Sequence, residues 1–522
     1  MATTIYKMRL INFKRFRDYT IEPNRKINIF VGDNEVGKSS VLEAIDIVVS
    51  GNVRRVEAIG LDKLLNIEAV HAFNSGERKF ENLPELRIEL CLSLDQPDHT
   101  MNGKNNLDGV KCDGIRLVCA PNPDYRSEIT EVLNANTDYF PYDYYSVRFS
   151  TFADEGYTGY KKKIHSVLID SSKMSSEHAT DGFIHRMYMH YTEPDAKERA
   201  SHKSEYRLMR NKFRDVSFQA LNGRVPADKN YSFGLKRGSS MDFAGDLMIY
   251  ENEVGIDSKG TGKQIFIKTD FALEHSGDNI DIILIEEPEN HLSPINLRKL
   301  IQRVADTQNG QLFITTHNSL ISTRLELRNL LIMHVNGEDH PIMLKDLSPD
   351  TAKYFLKAPP ASIVEYALSK KALLVEGPSE YMLLDRFYQN IVGHSPEEDD
   401  IHIIDVRGLS FKRYLEIAKQ TRSKVAVITD NDKDFQKNCI DKYSDYEADD
   451  NIEIFFDSDN TKRTFEIVLY ADNSALCTTL FGTEAQDYML ENKTEAALSL
   501  LFQDQPIVVP DYMKKAIEWI RE

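Results

Sequence analysis

The sequence predicts an α/β chain in which two parallel-sheet units follow one another, the first interrupted by a helical segment. Three observations carry this. The run Ile27–Val31 passes straight into a glycine-bracketed loop, Gly32 to Gly37, and then into the apolar stretch Ser40–Val49. Short aliphatic runs at Ile280–Ile285, Gln311–Thr315 and Asn329–Val335 are separated by helix-length intervals, as in buried parallel strands. A second such series, Lys371–Val375, Ile401–Asp405 and Lys424–Ile428, begins after the punctuation at Ala358, Pro359 and Pro360.

At 522 residues the chain is too long for one ordinary core. Its 41% hydrophobic and 28% charged residues fit a water-soluble globular protein, and no apolar run is long enough to span a membrane. The opening residues Met1–Leu10 alternate like a strand and lack the apolar core of a signal peptide, so the chain reads as cytoplasmic, with no membrane partner. The five cysteines form no CxxC pair and the histidines no HExxH cluster, which argues against disulfides and thiolate zinc. A catalytic metal would therefore be held by carboxylates, as Mg2+ or Mn2+. The net charge of −18 does not exclude nucleic acid, because binding follows local fields. Between Tyr160 and Arg237, 16 Lys and Arg stand against 9 Asp and Glu.

Leu86–Leu94 alternates with period two and reads as a strand with one solvated face, and the polar stretch Asn102–Asn106 as a surface loop. Tyr206, Met209, Phe213, Val216 and Ala220 recur at helical steps among basic residues. Two readings stand for that stripe: a helix packed on its own domain, or an insertion used for dimerisation with its basic face toward DNA.

The first loop matches GxxxxGK[ST] between a strand and a helix, where backbone N–H groups and a helix N-terminus can surround phosphates. Candidate nucleotide contacts are Gly32, Asn34, Gly37, Lys38, Ser39 and Ser40; Lys38 would reach the β- and γ-phosphates and Ser39 the magnesium. Glu286 and Glu287 follow an aliphatic run and emerge at a strand end, one suited to the magnesium shell and the other to polarising the attacking water. His317, after the next strand, completes an ordered set within reach of the γ-phosphate.

A second carboxylate set repeats the logic. Glu376 ends an apolar strand, and Glu380 shares its face if Pro378 opens a helix. Asp430 and Asp432 alternate after Val425–Ile428 and project to one side. Four carboxylates from two strand ends suit a two-metal phosphodiester site.

The first half resembles ABC-type ATPases of the recombination and SMC class, through these motifs and through Leu10–Phe16, which looks like their N-terminal signature. Ser258 and Gly260, before a helical run, are similar to their signature loop, which in those families caps the γ-phosphate of the opposite subunit and so implies a homodimer. The long interval between Lys38 and Glu286 has room for a modest insertion but not for SMC coiled-coil arms. The second half resembles a Toprim domain, and the whole is similar to OLD-family (overcoming lysogenization defect) endonucleases. That resemblance implies a fold of an ABC-type ATPase with a helical insertion, then a Toprim α/β domain: 1–158 and 238–360 for the ATPase, 159–237 for the insertion, 361–522 for Toprim. It also implies Glu466, within Thr464-Phe465-Glu466, as a further metal ligand, and Lys493 as a catalytic lysine beside the catalytic Glu376 and Asp430. The implied function is ATP-governed, metal-dependent cleavage of DNA, with RNA not excluded, in bacterial anti-phage systems of the Gabija or retron-effector kind, with a defence partner protein or nucleic acid. The competing reading is an ATP-dependent DNA sensor or repair clamp with a regulatory Toprim half. A topoisomerase would need a tyrosine in a DNA-cleaving context, and none of the 24 tyrosines has one.

Overall fold

The computed structural model describes residues 3–94, 96–135, 139–159, 164–170, 184–185, 187–189, 191–192, 196–225, 233, 235, 243–274, 280–290, 292–306, 310–334, 339–357, 363–408 and 410–522. The punctuation at 358–360 and His291 lie outside them, as does much of the basic segment.

Three larger sheets organise the described residues, beside a two-stranded hairpin of Tyr250–Glu251 and Val254–Gly255. The first is antiparallel, in the order Phe16–Ile21, Thr4–Phe13, Leu86–Ser93, Cys112–Pro121, with Tyr145–Thr151 also paired to the last. Asn102–Gly103 is not purely loop: it pairs with Cys112 and Asp113 as a two-residue edge. The second sheet runs Ile342–Met343, Leu330–Met333, Ile27–Gly32, Gln311–Thr315, Ile282–Glu286, Ser166–Asp170, all parallel except the first pair. Ser166–Asp170 thus extends the ATPase sheet into the span expected for the insertion. The third is fully parallel, in the order Ile401–Asp405, Lys371–Val375, Lys424–Ile428, Ile452–Phe455.

Helix Lys38–Ser50 explains how the first two sheets join. Val41, Leu42, Ala44, Ile45, Ile47, Val48 and Val49 are all buried, so its apolar surface extends beyond one stripe. A helix apolar on most sides must be covered on most sides. It packs between strands of the antiparallel sheet and strands of the parallel one, inside a single apolar cluster that includes Leu10, Leu90, Leu117, Ile282 and Phe313. Gln311 fastens the same junction. Its side chain is fully buried; it accepts from the Ile5 N–H at 2.7 Å and donates to the carbonyls of Ile5 at 2.7 Å and Asn24 at 2.9 Å. The register of the first strand shifts between Ile5 and Lys7, and the amide lies at that irregularity.

The other face of the ATPase sheet continues into the Toprim unit. Ile29, Val31 and Ile332 belong to one cluster with Phe355, Tyr366, Leu374, Phe411 and Tyr414. Helix Pro349–Lys357 meets helix Phe411–Thr421: the Tyr354 hydroxyl donates to Ser410 at 2.9 Å, Arg413 to Thr351 at 3.1 Å, and Ser348 bonds Glu416. A second Toprim core, around Phe387, Phe465, Met513 and Ile517, lies on the opposite sheet face.

Helix Ala196–Ser217 leaves its stripe uncovered over most of its length. Tyr206 stacks edge-on against Phe243, but Leu208, Met209, Phe213 and Val216 are more than half exposed. Of the stripe, Tyr206 packs within its own domain, while Met209, Phe213 and Val216 stay exposed. No helix among the described residues is long and apolar enough to cross a membrane.

Gln311→Leu keeps the side-chain bulk but takes the partner from the Ile5 N–H and a donor from the Ile5 and Asn24 carbonyls, of which Asn24 keeps Asn28. It should cost about 3 kcal/mol of stability, read as a lower urea midpoint for the ATPase domain. An unchanged midpoint would mean the clamp is dispensable.

Candidate functional site

In the ATPase the parallel register decides the geometry. Ile27–Gly32 is flanked by Gln311–Thr315, which pairs in turn with Ile282–Glu286, so the phosphate loop, His317 and Glu287 leave the same edge of the sheet. Gly37 has φ of 97°, and a Cβ there would stand 2.5 Å from the Phe16 ring and 2.8 Å from the Arg15 side chain. Only glycine fits both the backbone and the space. Asn34 and Ser39 are exposed, Ser40 is half-buried, and Lys38 is buried. The Lys38 ammonium donates to the carbonyls of Gly32 at 2.8 Å and Asp33 at 2.7 Å, within its own loop. Burial lowers its pKa, against the raising influence of Glu287, Asp33 and Glu289.

Glu287 has φ of 41° and is tied to the neighbouring strand through its N–H, 3.0 Å from the Thr315 carbonyl. One of its carboxylate oxygens lies 3.2 Å from Nε2 of His317 and the other accepts from Asn290 at 2.7 Å. The expected pair therefore meets directly. Glu286 stands in register with Thr315. The sequence reading assigned no role to Glu289, which accepts from the Thr316 hydroxyl at 2.6 Å and the His317 N–H at 2.8 Å. Its second oxygen is buried without a partner. Its signal was the acidic run Glu286-Glu287-Pro288-Glu289, in which only a folded turn shows which carboxylate faces His317.

Ser258 and Gly260 are not gathered with these residues. They head helix Thr261–Glu274, which packs on the edge strand Ser166–Asp170 and on helix Pro294–Asp306. Two strands lie between that edge and the phosphate-loop strand. Gln264, buried, holds the loop by donating to the Lys259 carbonyl at 2.8 Å.

The Toprim carboxylates come together at the C-terminal ends of Lys371–Val375 and Lys424–Ile428. Pro378 does open a helix, Pro378–Val392, and Glu380 lies buried in its first turn. Burial is the main force raising the Glu380 pKa to about 7, helped by the charges of Glu466 and Glu376. Asp430 is pushed up to about 8, by burial first and then by Glu380, Glu376 and Glu466. Glu376 is raised by burial and by Asp432, and its Oε2 is buried without a hydrogen-bond partner. Asp432 is exposed, with φ of 49°.

The two assignments carried by short strings also meet. Glu466 is buried in the first turn of helix Phe465–Asp472, and its carboxylate lies 3.0 Å from the ammonium of Lys493, which opens helix Lys493–Phe502. Burial opposes the Lys493 charge, but the Glu466 hydrogen bond and the Glu466, Asp430 and Glu380 charges outweigh it and raise its pKa. Among the described residues no three His, Cys, Asp or Glu side chains stand at metal-ligand spacing. The carboxylates are gathered, but their oxygens are not drawn onto one point.

Asn431, between the two aspartates, was not anticipated. Fully buried, its amide donates to the carbonyls of Asp457 at 2.8 Å, Asp459 at 2.9 Å and Lys462 at 3.3 Å. It ties the loop before Thr464 to the strand end that carries Asp430.

The two sites face different ends of the Toprim sheet. A cleft of about 550 Å3 is lined by Asp33, His317 and Ser319 from the ATPase and by Glu365, Lys370, Asp400 and His402. Lys370 and Asp400 precede their strands, whereas the carboxylates follow them, so one five-residue strand, roughly 16 Å, separates the sites.

Comparison with known proteins agrees with this division. Residues 368–432 match the family described as overcoming lysogenization defect protein-like, TOPRIM domain. Residues 4–224 match an AAA ATPase domain, and 154–323 an AAA domain described as putative AbiEii toxin, Type IV TA system. An ATPase match followed by an OLD-like Toprim match fits the organisation of an OLD-family ATPase–Toprim protein. Among solved structures, the chain is similar to the C-terminal region of the Burkholderia pseudomallei OLD protein (14% identity, TM-score 0.24, 30% of this chain and 98% of that one). The corresponding Xanthomonas campestris pv. campestris region gives 17% identity and a TM-score of 0.23, over 29% and 95%. The recombination mediator RecF bound to ATP gives 11% identity and a TM-score of 0.34, over 64% and 98%. No curated protein matches the chain.

Asn431→Ala should remove the amide donor from the carbonyls of Asp457, Asp459 and Lys462, of which Asp459 keeps the Lys462 N–H, and free the 457–462 loop at a cost of about 3 kcal/mol. Limited trypsin digestion should then cut at Lys462 or Arg463 much faster than in the wild type. Equal digestion rates would show that the loop is held by something else.

Proposed function

We propose that this OLD-family protein is an ATP-hydrolysing, divalent-metal-dependent endonuclease that cleaves DNA. The observation that carries the reading is the gathering of Glu376, Glu380, Asp430 and Glu466 around Lys493, with Asp432 at its margin. The raised pKa values of Glu376, Glu380 and Asp430 mark an environment short of positive charge, and the orphaned Glu376 oxygen is an acceptor without a donor. An all-oxygen set of this kind fits Mg2+ or Mn2+. Bound there, such cations would supply an activated water and charge stabilisation at the leaving oxygen. Lys493, oriented by Glu466, would offset the charge that develops on the phosphorus oxygens.

In the ATPase, Lys38 would exchange its two loop carbonyls for the β- and γ-phosphates, and Ser39 and Glu286 would hold the nucleotide's magnesium. Glu287, oriented by His317 and Asn290, would polarise the attacking water. The position of Ser258 and Gly260 on the edge strand's helix supports a homodimer in which this loop completes the partner's nucleotide site. The exposed stripe Leu208, Met209, Phe213 and Val216 supports a second contact between copies. A role in anti-phage defence rests on family resemblance.

Glu376→Ala or Asp430→Ala should abolish plasmid nicking in Mg2+ or Mn2+ while ATP binding persists, and Lys493→Ala should slow cleavage without preventing metal binding. Cleavage at the wild-type rate by folded Asp430→Ala would rule out the Toprim half as the nuclease. ATP-dependent DNA binding with no cleavage under any condition would favour a sensor or clamp.

Lys38→Ala should lose nucleotide affinity, whereas Glu287→Gln should bind ATP and hydrolyse it at least about a hundredfold more slowly. Wild-type turnover in Glu287→Gln would overturn that assignment. Light scattering should give at least a dimer with ATP bound.

A further inference from the structure

The Toprim site poses an electrostatic problem for its own proposed substrate. Five carboxylates surround it, the chain carries a net charge of −18, and a DNA strand is a polyanion. Charges within about 10 Å dominate at ordinary salt, so the strand must be held by cations at the rim rather than by the protein as a whole.

Three cations stand on or beside the loops that carry the carboxylates. Lys433 follows Asp432 directly. Arg463 is joined to the same residue, its carbonyl accepting the Asp432 N–H at 3.2 Å. Arg407 precedes Gly408, whose N–H donates to the Glu376 carbonyl at 2.8 Å. All three side chains are exposed. No ion pair to Lys433 or Arg463 forms among the described residues, and Arg407 comes only within 4.0 Å of Asp405. Their neighbours behave differently. Lys462 reaches Asp457 and Asp472, Lys412 reaches Asp445, and Lys419 reaches Asp449.

Backbone conformation adds an independent observation. Arg407, Asp432 and Lys433 have φ of 51°, 49° and 75°. Each is a non-glycine residue in the left-handed region, a conformation that strains the backbone. These three carry the strain at the carboxylate end of the sheet, as Asp400 and Arg422 do at the opposite end, and it sets the direction of the Arg407 and Lys433 side chains.

We propose that Arg407, Lys433 and Arg463 form a cationic rim that seats the DNA phosphates flanking the bond to be cut. They are positioning residues, and this assignment rests on the nuclease reading of the same site. Arg407 holds the strand on the Glu376 side; Lys433 and Arg463 hold it on the Asp432 side.

The test uses the full-length protein and a fluorescent mixed-sequence duplex. Affinity is measured by anisotropy in Ca2+, and cleavage in Mg2+ or Mn2+. Relative to the wild type, the Lys433→Ala, Arg463→Ala double variant should bind about tenfold more weakly and lower the slope of log affinity against log salt by about 2. KM should rise by a similar factor while kcat holds, and Lys433→Arg should restore most of the loss for its position. An unchanged affinity, salt slope and KM in a wild type that cleaves would overturn the rim and leave the nuclease reading intact. A wild type that binds DNA but never cuts would overturn the nuclease reading, and the rim would stand or fall on affinity and salt slope alone. A wild type that binds no DNA would overturn both.

Discussion

In-register parallel pairing is the constraint on which both sites depend. Parallel strands all end at the same edge of a sheet, so residues far apart in sequence meet wherever their strands are neighbours. In the ATPase this brings Gly32–Ser39, Glu287 and His317 to one edge. In the Toprim sheet it does the same for Glu376 and Asp430, through the pairing of Lys371–Val375 with Lys424–Ile428. The chemistry is then placed by the loops, which are free to be strained and charged because the strands beneath them are buried. Glu287, Asp432 and Lys433 have left-handed backbones immediately beyond strands whose interiors are wholly apolar.

Apolar packing joins what the sheets alone would leave separate. Helix Lys38–Ser50 is covered by two sheets, so a shift of the phosphate loop is opposed by both. On the other side a single core runs from Ile29 and Val31 to Phe411 and Tyr414, with Ser348, Thr351 and Tyr354 bonded to the Toprim helix. An interior packed to this density transmits displacement instead of absorbing it. The cleft between His317 and His402 lies beside this shared core, at the end of the Toprim strands away from the carboxylates. The two sites therefore share no ligand-binding residue, and the core and helix contacts are what join them.

The polar residues that fasten these units were the least visible. Gln311, Asn431 and Glu289 carry no motif, and each acts by bonding backbone or side-chain groups brought near it by folding. Gln311 bonds Ile5, about 300 positions earlier, and Asn431 bonds carbonyls up to 31 positions later. Such partners leave no local periodicity.

The sequence by itself determined the two α/β units, their order, the phosphate loop and the strand-end carboxylates. Those features are local: an aliphatic run followed by Gly32–Lys38, by Glu286-Glu287 or by Glu376 reads the same whatever surrounds it. Only the tertiary structure decided that Ser166–Asp170 belongs to the ATPase sheet, that Glu466 and Lys493 meet at 3.0 Å, and that Ser258 and Gly260 head a helix on an edge strand with two strands between it and the phosphate-loop strand. It also decided that the stripe of helix Ala196–Ser217 is left bare from Leu208 to Val216. Strand order and the covering of a helix face are set by which surfaces bury each other across the whole chain, and no short window of sequence contains both partners.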